Sequence, residues 1–177
     1  MIALVNKKEE RARGVALKVL QEVFENGAYS NIALNKELQA SQLSQADKRL
    51  VTELVYGTVA RKITLEWYLA HEIADRDQLD TWVYYLLLLS LYQILYLDKI
   101  PNHAVVNEAV NLAKRAKGTD KYVNAVLRAF LKKPLPDVAS IKRKNKRLSV
   151  QYSAPVWLVA TLIEEYGQER AEAILAS

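Results

Sequence analysis

The sequence predicts an all-α fold: a helical bundle around one central buried helix, with a short helical C-terminal extension. Two observations carry this. The stretch Trp82–Leu97, WVYYLLLLSLYQILYL, is apolar or aromatic throughout except at Ser90 and Gln93. A helix that is apolar on all sides is buried on all sides. Elsewhere apolar residues recur at spacings of three and four, and no stretch alternates as a half-buried strand does. As a helix, Trp82–Leu97 is about 24 Å long, shorter than the ~30 Å hydrocarbon core of a bilayer. Its tyrosines, serine and glutamine suit a protein core better than lipid. A buried hub is expected, not a membrane span.

The chain has 177 residues, and 51% of them are apolar, which is enough to bury a core in one domain or in one domain plus part of another. Met1–Val5 is apolar, but Asn6 and the charged Lys7–Glu10 follow at once, so no signal peptide is read and a cytoplasmic location is expected. The absence of cysteine excludes disulfides, a thiolate nucleophile and cysteine metal sites. A formal charge of +5 favours anionic partners, nucleic acid first.

The run Lys7–Arg13 is charged. From there Ala12, Val15, Ala16, Val19, Leu20, Val23 and Phe24 form the apolar stripe of a first helix, which Gly27 stops. Asn31–Gln39 reads as a second helix carrying Ile32, Leu34 and Leu38. Ser44-Gln-Ala-Asp47 resembles a capping box with aspartate in the usual glutamate place. It opens a third helix marked by Leu50, Val51, Leu54, Val55 and Val59. Thr64–Ile73 reads as a fourth helix, and Asp75–Asp80 as a loop into the hub.

Pro101 opens the helix after the hub, whose apolar face is Val105, Val106, Ala109, Leu112, Ala113 and Ala116. Lys114, Arg115 and Lys117 are expected in its last turn, where cations oppose the helix dipole favourably. Gly118 is expected just past its end, with Thr119 capping the next helix. That helix buries Val123, Val126, Leu127, Phe130 and Leu131 and presents Lys121, Asn124, Arg128 and Lys132 on its other face. Pro134 and Pro136 break the pattern, and the basic run Ile141–Arg147 reads as a linker. Pro155 opens a further helix with Val156, Leu158, Val159, Leu162 and Ile163, which Gly167 ends. A last helix starts near Gln168 and meets no stop signal before Ser177, so a longer chain is expected.

Catalytic chemistry is not visible. Gly14, Gly27, Gly57, Gly118 and Gly167 are isolated and form no phosphate loop. His71 and His103 lack metal-ligand spacing. Glu9–Glu10 and Glu164–Glu165 read as solvated helix faces. What remains is a set of cations: Arg11, Arg13, Lys18, Lys48, Arg49, Arg61, Lys62, Lys114, Arg115, Lys117, Lys121 and Arg128. All are expected on helix faces or ends opposite apolar stripes. Convergence of several would neutralise phosphates; otherwise they only solvate the surface. Tyr29, Tyr56 and Tyr122 lie near these positions, as rings that stack on single-stranded bases or as edge-of-core residues.

Three stretches together resemble the NusB antitermination-factor family, an all-helical RNA-binding fold: DKRLVTELVYGTVARKITLEWYL (Asp47–Leu69), IPNHAVVNEAVNLAKRAKG (Ile100–Gly118) and YVNAVLRAFL (Tyr122–Leu131). Within it, LYQILYLDKIPNHAVVNEAV and the extension LSVQYSAPVWLVATLIEEYGQERAEAIL are similar to the N-terminal part of the RsmB (Sun/Fmu) methyltransferases. Those enzymes methylate carbon 5 of a cytosine in 16S ribosomal RNA with S-adenosylmethionine.

The resemblance implies an RNA-binding domain over residues 1–133, a basic linker over 134–147 and the start of the methyltransferase part over 148–177. It implies 16S ribosomal RNA as partner and the basic residues named above as its contacts, with Arg11 and Arg13 on the first helix. Asn107, Glu108, Asn124 and Arg128 match recurrent family positions, as structural ties or RNA contacts. The family's catalytic half, with its cofactor loop and catalytic cysteines, is missing here. S-adenosylmethionine and activity are expected of a full-length protein carrying its own C-terminal methyltransferase domain, and no metal is expected. A NusB-type antitermination factor binding single-stranded leader RNA is the alternative, and a helical protein–protein adaptor is a third reading.

Overall fold

The computed structural model describes residues 2–177, with side chains from Arg11 onward. The side chains of Lys7–Glu10, including the Glu9–Glu10 pair, lie outside the described residues. Among the described residues there are no strands. The helices are α1 (Ile2–Asn26), α2 (Ser30–Ala40), α3 (Gln45–Ala60), α4 (Lys62–Leu69), α5 (Thr81–Tyr96), α6 (Asn102–Ala113), α7 (Thr119–Lys132), α8 (Lys144–Tyr152), α9 (Val156–Tyr166) and α10 (Gln168–Ala176).

The predicted hub is α5. Every residue from Val83 to Gln93 is buried, and α1, α3, α4, α6 and α7 all pack against this helix. Leu86, Leu87, Leu88, Leu89 and Leu91 are fully enclosed. Burying such a side chain stabilises by about 1.5–3 kcal/mol relative to exposure. The polar interruptions are satisfied along the helix. Ser90 Oγ donates to the Leu86 carbonyl at 2.8 Å, and Gln93 Nε2 to that of Leu89 at 3.1 Å. No helix among the described residues is long and apolar enough to cross a membrane.

Several local expectations change. The buried face of α1 includes Leu17 and Arg13, so the stripe is wider than the aliphatic spacing indicates. On α2 the core takes Ala33 and Leu34, whereas Ile32 faces solvent. The fourth helix ends at Leu69, and Asp75–Asp80 contains a short 3-10 turn, Arg76–Gln78, capped by the Asp75 carboxylate. Lys114, Arg115 and Lys117 lie just beyond α6, which stops at Ala113. Gly118, at φ 83°, fills the capping position expected of Thr119, which is the first residue of α7. Ser44 caps α3 as predicted, accepting from the Asp47 N–H at 3.2 Å.

The extension builds its own small apolar cluster from Leu148, Ala154 and Val159, covered by Tyr152, Leu158, Ile163 and Leu175. The run Ile141–Arg147, read as a linker, is partly helical: α8 starts at Lys144 because Leu148 and Val150 are buried in its next turn. Helix α8 packs on α4. Thr64 Oγ1 donates to the Val150 carbonyl, and Ser153 Oγ accepts from the Ile63 N–H at 3.1 Å. An Ile63 N–H in the first turn of α4 has no partner within its own helix, so the extension caps α4. The opening residues of α9, Val156 and Trp157, stay exposed.

Candidate nucleic-acid interface

Arg11 and Lys18 stand two turns apart on α1 and therefore share a face. Between them lies Gly14, where an added Cβ would sit 3.6 Å from Leu112 Cδ2. That close crossing of α1 and α6 brings Arg115, just past the end of α6, beside the α1 cations. Arg11, Lys18 and Arg115 line one open groove of about 710 Å³, with Glu37 and the Ser41–Gln42 turn on its far wall. All three cations are exposed.

Their surroundings differ. Lys18 Nζ pairs with Glu37 at 3.3 Å, so much of its charge is already answered. The Arg115 guanidinium lies 4.9 Å from the centre of the Trp82 ring, and its Nε donates to the Leu112 carbonyl at 3.3 Å. A cation over an indole face is held by the ring quadrupole while its N–H groups stay available. Arg11 and Arg115 are therefore the groove's freest phosphate donors. Trp82 was placed within the hub by sequence, and nothing in its spacing signals this supporting role.

A second groove of about 700 Å³ runs along the outer face of α3 and gathers Lys48, Arg49 and Arg61 around Tyr56. Its floor holds a feature with a sequence signal. Gly57 lies inside a helix, where glycine is unfavourable by about 1 kcal/mol relative to alanine. A Cβ at Gly57 would lie 2.0 Å from Tyr92 Cζ, so the glycine is what admits the Tyr92 ring. Tyr92 stacks on Tyr96, and Arg61 lies over the Tyr96 ring at 4.1 Å.

The remaining basic residues do not join either groove. Lys62 pairs with Glu66 at 3.6 Å and lies over the Phe24 ring at 5.0 Å. Arg128 Nε donates to Asn124 Oδ1 at 2.9 Å, on the exposed side of α7. Lys114 and Lys121 are exposed outside both grooves, and Lys117 borders a shallow depression with Tyr122. Asn107 is exposed, whereas Glu108 is buried.

Arg13 is the clear correction. It is 4% exposed, and its Nε donates to Gln93 Oε1 at 2.9 Å. At three residues before Ala16 and four before Leu17, it sits on the buried side of α1 and cannot meet RNA. Its polar type hid this from a reading based on apolar spacing.

His71 and His103 are exposed, and His71 Nδ1 donates to the Trp67 carbonyl at 2.8 Å. No group of three or more histidine, aspartate or glutamate residues suited to a metal ion occurs among the described residues.

Comparison with known proteins agrees with the helical architecture. The chain is 40% identical, over 94% of its length, to the probable ribosomal RNA small subunit methyltransferase B of Bacillus subtilis, covering 38% of that protein. It is 34% identical over 93% of its length to the probable enzyme of the same name from Synechocystis, again 38% of that protein. It is 30% identical over 92% of its length to ribosomal RNA small subunit methyltransferase B of Shigella flexneri serotype 5b, covering 37%. The chain thus spans less than two fifths of these relatives. Residues 10–132 match the model of the NusB family, so the bundle α1–α7 with its grooves is a NusB fold and the chain belongs to the NusB family.

Proposed function

We propose that this chain is the RNA-docking part of an S-adenosylmethionine-dependent methyltransferase that acts on cytosine carbon 5 of 16S ribosomal RNA. The observation that carries the reading is the convergence of Arg11, Lys18 and Arg115 on one groove of a NusB fold. The relatives that match α8–α10 as well as the bundle are named as small-subunit ribosomal RNA methyltransferases. In this reading residues 1–133 bind RNA, and 148–177 open the methyltransferase part.

Methyl transfer is assigned to a part of the protein outside this chain. The described residues do not fit S-adenosylmethionine. No strand leads into a glycine-bearing loop, Gly14 and Gly57 face Leu112 and Tyr92 inside helices, and Gly27, Gly118 and Gly167 sit at helix ends. The chain also has no cysteine to serve as the family's nucleophile.

One observation favours a second reading, a NusB-type antitermination factor that binds single-stranded leader RNA. The family match ends at residue 132 and needs nothing from α8–α10. Titration with 16S ribosomal RNA fragments and with an unrelated leader RNA over a range of salt separates the readings. Preference for 16S fragments supports the first reading, and preference for the leader supports the second.

With phosphate contacts, log K falls linearly as log salt rises, and each contact removed lowers the slope by about one unit. R11A/R115A therefore binds more weakly with a shallower slope. Absence of RNA binding at low salt, or affinity that ignores salt, overturns RNA docking and leaves a helical adaptor, whereas affinity unchanged in R11A/R115A removes this groove as the docking site.

A further inference from the structure

Tyr56 is 42% exposed, whereas Tyr68, Tyr84, Tyr85 and Tyr92 are buried. Its ring opens into the second groove, which Lys48, Arg49 and Arg61 border. Arg49, Thr52, Glu53, Tyr56 and Ala60 follow at spacings of three and four, so one face of α3 presents them together. The cation at Arg61 is held in place over Tyr96. Glu53 is the acid among the groove residues, set against Lys48, Arg49 and Arg61, and the site as a whole selects an anion. A polyanion whose recognition also uses an aromatic face is a nucleic acid strand with unstacked bases. A duplex offers its phosphates but covers both faces of each base. An acidic peptide would match the charge but leave the phenol ring without a stacking partner.

From these observations we infer that the α3 groove is a single-strand RNA subsite, separate from the Arg11–Arg115 groove, in which one unpaired base stacks on Tyr56 while Arg49 and Arg61 hold its flanking phosphates. Both grooves draw on the segment from the end of α2 to the start of α3: Glu37, Ala40 and Ser41 border the first, and Leu38 and Gln45 the second. This inference rests on RNA being the partner.

The test uses a single-stranded RNA of about a dozen nucleotides with 2-aminopurine at successive positions, and a duplex of the same sequence. Stacking on an aromatic side chain strengthens binding by about 5- to 100-fold per base. Y56A should bind the single strand weaker by that factor and lose the 2-aminopurine quenching seen with the natural chain. Y56F should retain both, and duplex affinity should not change in either variant.

Equal single-strand affinity in Y56A, or equal loss in Y56F, overturns the subsite. If R11A/R115A weakens binding while Y56A does not, RNA docking stands and only the subsite falls. If the natural chain binds no RNA, or binds polyglutamate more tightly, both fall. Unchanged circular dichroism melting of Y56A excludes misfolding as the cause.

Discussion

The guanidinium of Arg13 and the side-chain amide of Gln93 meet at 2.9 Å inside the protein, joining α1 to the hub helix α5. Gln93 completes its own bonding by donating to Leu89, so its amide is anchored at both ends. A hydrogen bond to a charged group contributes about 1.5–3 kcal/mol, and losing one partner strands the other in the interior. R13A is therefore expected to lower stability by on the order of 3 kcal/mol once the cavity left by the side chain is included. R11A removes an exposed side chain two positions away and should change stability by less than about 0.5 kcal/mol. Urea denaturation reads both. An R13A protein that unfolds at the natural midpoint contradicts the buried tie.

Gly57 gives a second test, because the direction of the effect opposes helix propensity. In an exposed helix, glycine to alanine stabilises by roughly 1 kcal/mol. Here the new methyl would enter the Tyr92 ring, which stacks on Tyr96 at a centroid distance of 5.6 Å. G57A is expected to destabilise by about 1–3 kcal/mol, the range for overpacking a filled site. Y92L should recover part of that loss, and a double-mutant cycle measures the coupling. A G57A protein more stable than its parent would show that the ring moves aside freely.

The hub was legible from sequence because a helix apolar on every side has one solution, and α5 is enclosed as its composition requires. Ser44 and Gly27 were legible because capping and left-handed turns are local chemistry. Arg13 was not, since its role depends on Gln93, a residue eighty positions away. The grouping of Arg11 with Arg115 was hidden for the same reason: it follows from the α1–α6 crossing at Gly14, a tertiary contact. Ile141–Arg147 read as linker because its charges mask the buried Leu148 and Val150 that draw the next residues into α8.

Tyr84 makes stability depend on alkaline pH. Burial is the main cause that raises its pKa above the ordinary 10.0, and its hydrogen bond to Glu66 Oε2, at 2.7 Å, raises it further. The folded protein thus holds this proton more tightly than the unfolded chain does. The resulting stabilisation is complete below pH 10 and is lost as pH rises from there towards the raised folded value. The melting temperature should fall above about pH 10. Y84F lacks the titrating group and should fall less steeply, although at neutral pH it starts lower by about 1.5–3 kcal/mol for the lost hydrogen bond to a carboxylate. Parallel pH profiles for the two proteins would remove Tyr84 as a source of the decline.

The bond between Ser153 and α4 bears on how the extension is held to the bundle. Arg61 precedes α4 but supplies no side-chain cap, and the Ser153 hydroxyl takes the Ile63 N–H instead. Ser153 itself adopts φ 52° at the end of α8. S153A keeps a Cβ in that left-handed conformation, so the backbone cost is unchanged and the cap alone is removed. Loss of a helix cap costs about 0.5–2 kcal/mol. T64V removes the neighbouring bond to Val150 and adds to the effect, because both ties hold the same pair of helices. Hydrogen exchange should quicken across Lys144–Tyr152 and at Ile63, while amides of Leu86–Leu91 stay protected in their own cluster. Equal loosening of α5 would mean that the extension and the bundle unfold as one unit; unchanged exchange in α8 would mean that apolar packing alone holds it to α4.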